Sequence, residues 1–130
     1  AFPPVDGYVT QGLSLSTNSE IHNGIDVAAA FGANIKSPAN GMVVFSGSRV
    51  ETGNTIIISH DFGFYTVYGH NDTNLVRERD IVITGQVIAK VGDTGKSEGP
   101  HLHFEIWKNN RVLDPRDLIE EYKKKDVSIR

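Results

Sequence analysis

Short runs of β-branched and aromatic residues alternate with glycine-centred turns along most of the chain. The runs fall at 42–45, 55–58, 65–68, 80–83, 86–89 and 102–107. Turn signals rich in Pro, Asn, Asp and Gly separate them at 38–41, 52–54, 61–63 and 93–95. Many short strands at such spacing predict an all-β sandwich, barrel or roll, mainly antiparallel. The run 102–107 alternates most cleanly. Leu102, Phe104 and Ile106 belong to a core face, while His101, His103, Glu105 and Trp107 share the other. One helix is expected, over 115–124. Asp114 supplies its N-cap and Pro115 its first turn, and Leu118, Ile119 and Tyr122 its apolar side.

Composition narrows the class. The chain has 130 residues, of which 38% are hydrophobic and 22% charged, ordinary values for one globular domain with a single core. The formal net charge is −3 and the cations are dispersed apart from Lys123, Lys124 and Lys125, so no basic face points to nucleic acid. No apolar run approaches the ~20 residues of a membrane-spanning helix. Cysteine is absent, which excludes a disulfide scaffold, thiolate metal sites and a cysteine nucleophile. No signal peptide precedes Phe2, so the expectation is a cytosolic or already processed chain.

Five histidines carry the candidate chemistry. His101 and His103, two residues apart on one strand face, reach one small volume. That suits one metal, or one ligand beside one proton carrier. Unrelated surface hydrogen bonds are the plain alternative. His22 and Asp26 share a face whether the backbone is helical or extended, and Gly24 between them disfavours a helix and leaves that face open. An imidazole with a carboxylate is a common zinc pair, though an Asp that merely orients a His looks the same. His22, Asp26 and one histidine of the 101/103 pair would make three N/O ligands. A fourth position would then be left for water, the design of catalytic zinc, which lowers that water's pKa and polarises a carbonyl. His70 follows a strand-like run beside Gly69, a place suited to a site or to a surface turn. His60 sits in a hairpin turn and is expected to bond locally without a catalytic role. Trp107 reads as partly buried packing. Glu105 reads either as a partner orienting an imidazole or as a solvated strand carboxylate.

Taken together these residues resemble the lysostaphin-type, LytM-like zinc peptidoglycan endopeptidases over roughly residues 21–118. His22, Gly24 and Asp26 look like that family's His-x-Gly-x-Asp element. Thr94-Gly95 with Gly99-Pro100-His101-Leu102-His103-Phe104-Glu105 looks like its second signature, and Tyr65 to His70 like its Tyr-x-His strand end. Pro38 to Val43 and Val112-Leu113-Asp114-Pro115 match flanking segments. The resemblance implies a compact antiparallel β-roll, related to duplicated-hybrid-motif folds, spanning 1–130 as a single domain. It implies one zinc ion held by His22, Asp26 and His103, with His70 and His101 as catalytic residues, one a general base and the other binding the oxyanion. It implies cleavage of peptidoglycan stem or cross-bridge peptides, at glycyl-glycine or D-alanyl bonds. It also implies a bacterial-envelope location, periplasmic or extracellular, and a monomer is favoured.

Three departures stand out. The segment 14–20 lacks the family's Phe-Gly and Arg, which bears on substrate preference. Asn71 replaces a commoner Leu or Met, and Arg79 a commoner Gly. Two rival readings remain. One is a catalytically silent LytM-like domain that binds or activates another cell-wall hydrolase, although such members usually lose metal ligands and all five candidate residues are present here. The other is a biotinyl or lipoyl carrier, for which Lys90 sits inside a strand run and Lys96 lies in a glycine-flanked loop without the flanking Met or Asp.

Overall fold

The computed structural model describes residues 2–15 and 21–128. Ten strands follow in order: β1 (Tyr8–Gln11), β2 (Ile25–Ala28), β3 (Asn34–Lys36), β4 (Gly41–Arg49), β5 (Gly53–Ser59), β6 (Phe64–Asn74), β7 (Ile81–Val82), β8 (Val87–Val91), β9 (His101–Lys108) and β10 (Arg111–Leu113). Two short helices close the chain, α1 (Pro115–Leu118) and α2 (Glu120–Lys124). The strands form one sheet whose path runs β1-β2-β9-β6-β5-β4-β7, with β10 on β9 and β8 bridging β3 to β6. Each of these pairings is antiparallel, as the all-β reading expects. No helix among the described residues is long and apolar enough to cross a membrane.

β9 is the crossing point. β6 lies along one side, while β2 and then β10 occupy the other. Leu102, Phe104 and Ile106 enter the core with Ile25 and Val27 of β2, following the expected alternation. β6 is longer than the run 65–68 suggested. It continues through His70 to Asn74, with irregular registers opposite β5 and β8. There His70 takes a left-handed φ of 65°, so it sits inside a bent strand and not at a strand end.

The expected helix over 115–124 is two helices. Asp114 caps the first as predicted, its Oδ1 accepting the Arg116 amide at 3.0 Å. Ile119 then becomes extended, with φ −122° and ψ 108°, and is completely buried. A β-branched residue adopts that conformation readily. The break sends Ile119 and Tyr122 into the core while Leu118 stays partly exposed.

Candidate metal centre

The chain brings His22, Asp26, His70, His101 and His103 to one place. The register of β2 on β9 sets Asp26 directly opposite His103. His22 arrives from just before β2, where an isolated bridge to Ser14 holds it. One ligand atom from each of His22, Asp26 and His103 lies within 4.8 Å of the others. Asp26 Oδ1 is the focus, 3.1 Å from His22 Nε2, 3.1 Å from His103 Nδ1 and 3.5 Å from His101 Nε2. His70 packs against His101 with ring centroids 4.7 Å apart, and lies 6.0 Å from His103.

The outer ring nitrogens decide what the inner ones are. His22 Nδ1 donates to the Gly12 carbonyl at 2.9 Å, and His70 Nδ1 to the Thr94 carbonyl at 2.6 Å. His101 Nδ1 donates to the Gly99 carbonyl at 2.9 Å, and His103 Nε2 to Glu105 Oε2 at 2.7 Å. All four acceptors lack a proton to give, so each outer nitrogen keeps its hydrogen. A neutral imidazole then presents a lone pair on its inner nitrogen. Three such lone pairs converge on a carboxylate oxygen, an arrangement that repels itself unless a proton or a cation fills it. The donor set therefore fits a borderline metal ion such as zinc.

Electrostatics agree. Burial opposes the charge of Asp26, but hydrogen bonds from His103 and His22 outweigh it and hold the carboxyl well below the usual range. Burial opposes protonation of His103 as well. Its bonds to Asp26 and Glu105 win, and its pKa rises to about 9. His22 is raised in the same way by Asp26 and the Gly12 carbonyl, against the cost of burial. His70 moves down, chiefly through burial and then through the neighbouring His101 and His103, despite the Thr94 carbonyl.

His60 lies outside this group. Its Nδ1 donates to the Asn40 carbonyl and its Nε2 meets Thr66 Oγ1, each at 2.7 Å. It is half-buried, and its partners come from other segments and not only from its own turn. It lines an apolar cavity with Phe62, Phe64, Ile106 and Leu118. Trp107 is partly buried, as expected, and its indole donates to Glu105 Oε1 at 2.7 Å. Sequence reasoning passed over the carbonyls of Gly12, Gly99 and Thr94. Any residue offers a carbonyl, so only the signature match that includes Thr94 and Gly99 hinted at two of them. Residues 16–20, most of the segment 14–20 that departs from the family pattern, lie outside the described residues.

Known proteins resemble this chain. The model of Peptidase family M23 matches residues 20–115. The chain is 41% identical over 113 residues to the murein hydrolase activator NlpD of Salmonella dublin, covering 86% of this chain and 29% of that protein. It is 41% identical over 93 residues to the peptidoglycan DD-endopeptidase ShyB of Vibrio cholerae, covering 72% and 22%. It thus spans about a quarter of the length of these relatives. Among solved structures, a zinc-containing peptidase from Vibrio cholerae superposes with a TM-score of 0.74 at 35% identity, over 85% of this chain and 37% of that one. The matched segment contains the β2–β9 pairing and all five converging side chains, and on that ground the chain belongs to peptidase family M23.

Proposed function

We propose that this chain is a zinc-dependent endopeptidase domain that hydrolyses peptide cross-links of bacterial peptidoglycan. The observation that carries the reading is the convergence of His22 Nε2 and His103 Nδ1 on Asp26 Oδ1, with His101 Nε2 and the His70 ring alongside. His22, Asp26 and His103 would hold one zinc ion. When bound, the ion supplies Lewis acidity, polarising a carbonyl and lowering the pKa of a water toward about 7.

The protein's own groups do the rest. Gly12 and Glu105 hold His22 and His103 in the ligating tautomer. Thr94 and Gly99 do the same for His70 and His101, so both turn Nε2 toward the reacting centre. This pair shares two duties. One histidine accepts the proton of the attacking water, and the other hydrogen-bonds the carbonyl oxygen as negative charge develops on it. We place the domain at 1–130 with its core at 21–118, as a monomer in the bacterial envelope, periplasmic or extracellular.

The similarity to a protein named as a murein hydrolase activator favours a second reading, a silent domain that switches on another hydrolase. The complete set of five side chains argues for turnover instead. Mass spectrometry of cross-linked muropeptide dimers incubated with the zinc-loaded protein separates the two. Conversion to monomers establishes the endopeptidase, and the product masses name the bond. Intact dimers with zinc bound refute it and leave the activator reading.

A further inference from the structure

We propose that Glu105 is a positioning residue for the metal site, the centre of a Trp107–Glu105–His103 relay that aims His103 Nδ1 at the ion. The inference rests on the reading that His103 is a metal ligand and assigns the device that orients it.

Three observations carry it. First, alternation on β9 stacks His103, Glu105 and Trp107 along one face, so the chain of bonds runs down the strand. Second, both carboxylate oxygens of Glu105 are committed. Oε2 accepts His103 Nε2–H and Oε1 accepts the Trp107 indole N–H, each at 2.7 Å. A carboxylate fixed at both ends has one orientation, and through a charge-assisted bond it gives the imidazole one as well. Third, the neighbouring strand makes room for it. A β-carbon on Gly24 would meet the Phe104 carbonyl oxygen and come within 2.9 Å of Glu105 Cγ. The face that Gly24 leaves open between His22 and Asp26 is therefore where the stem of Glu105 lies.

The relay makes a specific demand. Each donor meets its own oxygen, and an amide would present an NH2 group in place of one of the two. Glu105→Gln keeps the shape but can serve His103 or Trp107, not both. Zinc dissociation constants, measured by competition with a chromogenic chelator, are therefore expected to rise by about 10–100-fold in Glu105→Gln. Trp107→Phe in the Glu105→Gln background removes the competing donor and frees the amide oxygen for His103. That double variant is expected to bind zinc more tightly than Glu105→Gln alone, a recovery that a merely structural carboxylate would not produce. The unfolding midpoint of each metal-free variant shows that the comparison is made on folded protein. Should Glu105→Gln fail to fold, Trp107→Phe alone, which frees one end of the carboxylate, is expected to weaken zinc binding by more than twofold.

A folded Glu105→Gln within twofold of the unsubstituted protein overturns the proposal, as does a double variant no tighter than Glu105→Gln, or a fallback Trp107→Phe within twofold. If the unsubstituted protein binds no zinc, the reading of His103 as a ligand falls and this inference with it. Equal zinc binding by wild type and variant removes the inference alone.

Discussion

Zinc binding should release protons, with His103 as the main source. In the metal-free protein His103 sits between two carboxylates, with Nδ1 3.1 Å from Asp26 and Nε2 2.7 Å from Glu105, and its pKa stands at about 9. At pH 7, two units below that value, only about one molecule in a hundred has a neutral His103. A metal taking Nδ1 must displace that proton. His22, also raised, releases in the same direction, and Asp26 adds no proton because it is already ionised. Affinity through His103 alone should therefore rise about tenfold per pH unit, or about a hundredfold from pH 6 to 8, with His22 steepening the lower part. The stability of the metal-free protein should move the other way. A histidine whose folded pKa is raised stabilises fully below its ordinary value of 6.5 and loses that contribution as pH climbs through about 9. Chelator competition at pH 6, 7 and 8 gives the slope. Calorimetry in two buffers of different ionisation enthalpy counts the protons. A slope near zero, with no proton released at pH 7, would show that His103 is neutral before the metal arrives and that no proton sits between its Nδ1 and Asp26.

The division of labour among the histidines gives a second prediction: His103→Ala loses zinc, whereas His101→Ala keeps zinc and loses turnover. Equal zinc loss in metal analysis of the two would sink it. Gly24→Ala drives a methyl group into the β2–β9 contact at the Phe104 carbonyl and should cost about 1–3 kcal/mol in urea unfolding, with weaker zinc binding because Asp26 and His103 lie on those strands. An unchanged midpoint would show that the two strands separate freely there. Tyr122→Phe tests the tie between the second C-terminal helix and the N-terminal segment. Its hydroxyl donates to the Val5 carbonyl at 2.6 Å and accepts the Val5 amide at 3.2 Å. Leaving both buried groups unpaired should cost about 1–3 kcal/mol with the zinc constant unmoved, and a shifted constant would mean that the site is not insulated from the C-terminal helices.

What the sequence revealed depended on where the information is local. β9 was legible because Leu102, Phe104 and Ile106 alternate with polar residues, and one buried face writes itself as a period of two. β1 and β3 were not, since each buries a single side chain, Val9 or Ile35, and one residue makes no period. The helix over 115–124 was read with Leu118, Ile119 and Tyr122 on its apolar side. Ile119 and Tyr122 do go inward, but Leu118 stays exposed, because the extended turn at Ile119 lets Tyr122 reach Val5, more than a hundred positions away. His70 was placed near the site but not in its left-handed backbone. The Thr52 carbonyl, which accepts its amide at 2.6 Å, and the Thr94 carbonyl hold it there, and neither leaves a mark on the local pattern.

The open face at Gly24 links these levels. A missing side chain in the His22–Asp26 stretch marks the sequence, but its use appears only when β2 lies against β9 and Glu105 fills the space. That alignment is set by the opposite face of the sheet. Ile25 and Val27 pair with Phe104 and Leu102, and all four are fully buried. A slip of one residue would turn this apolar set to solvent, which the core strongly resists. The same slip would move Asp26 off His103. The burial that stabilises the fold thus also fixes the pairing on which the metal site depends, and the carbonyls of Gly12, Gly99 and Thr94 only have to trim the ring orientations. Substitutions in the β2–β9 core should for this reason disturb zinc affinity in proportion to how far they loosen the register, even where they touch none of the five converging side chains.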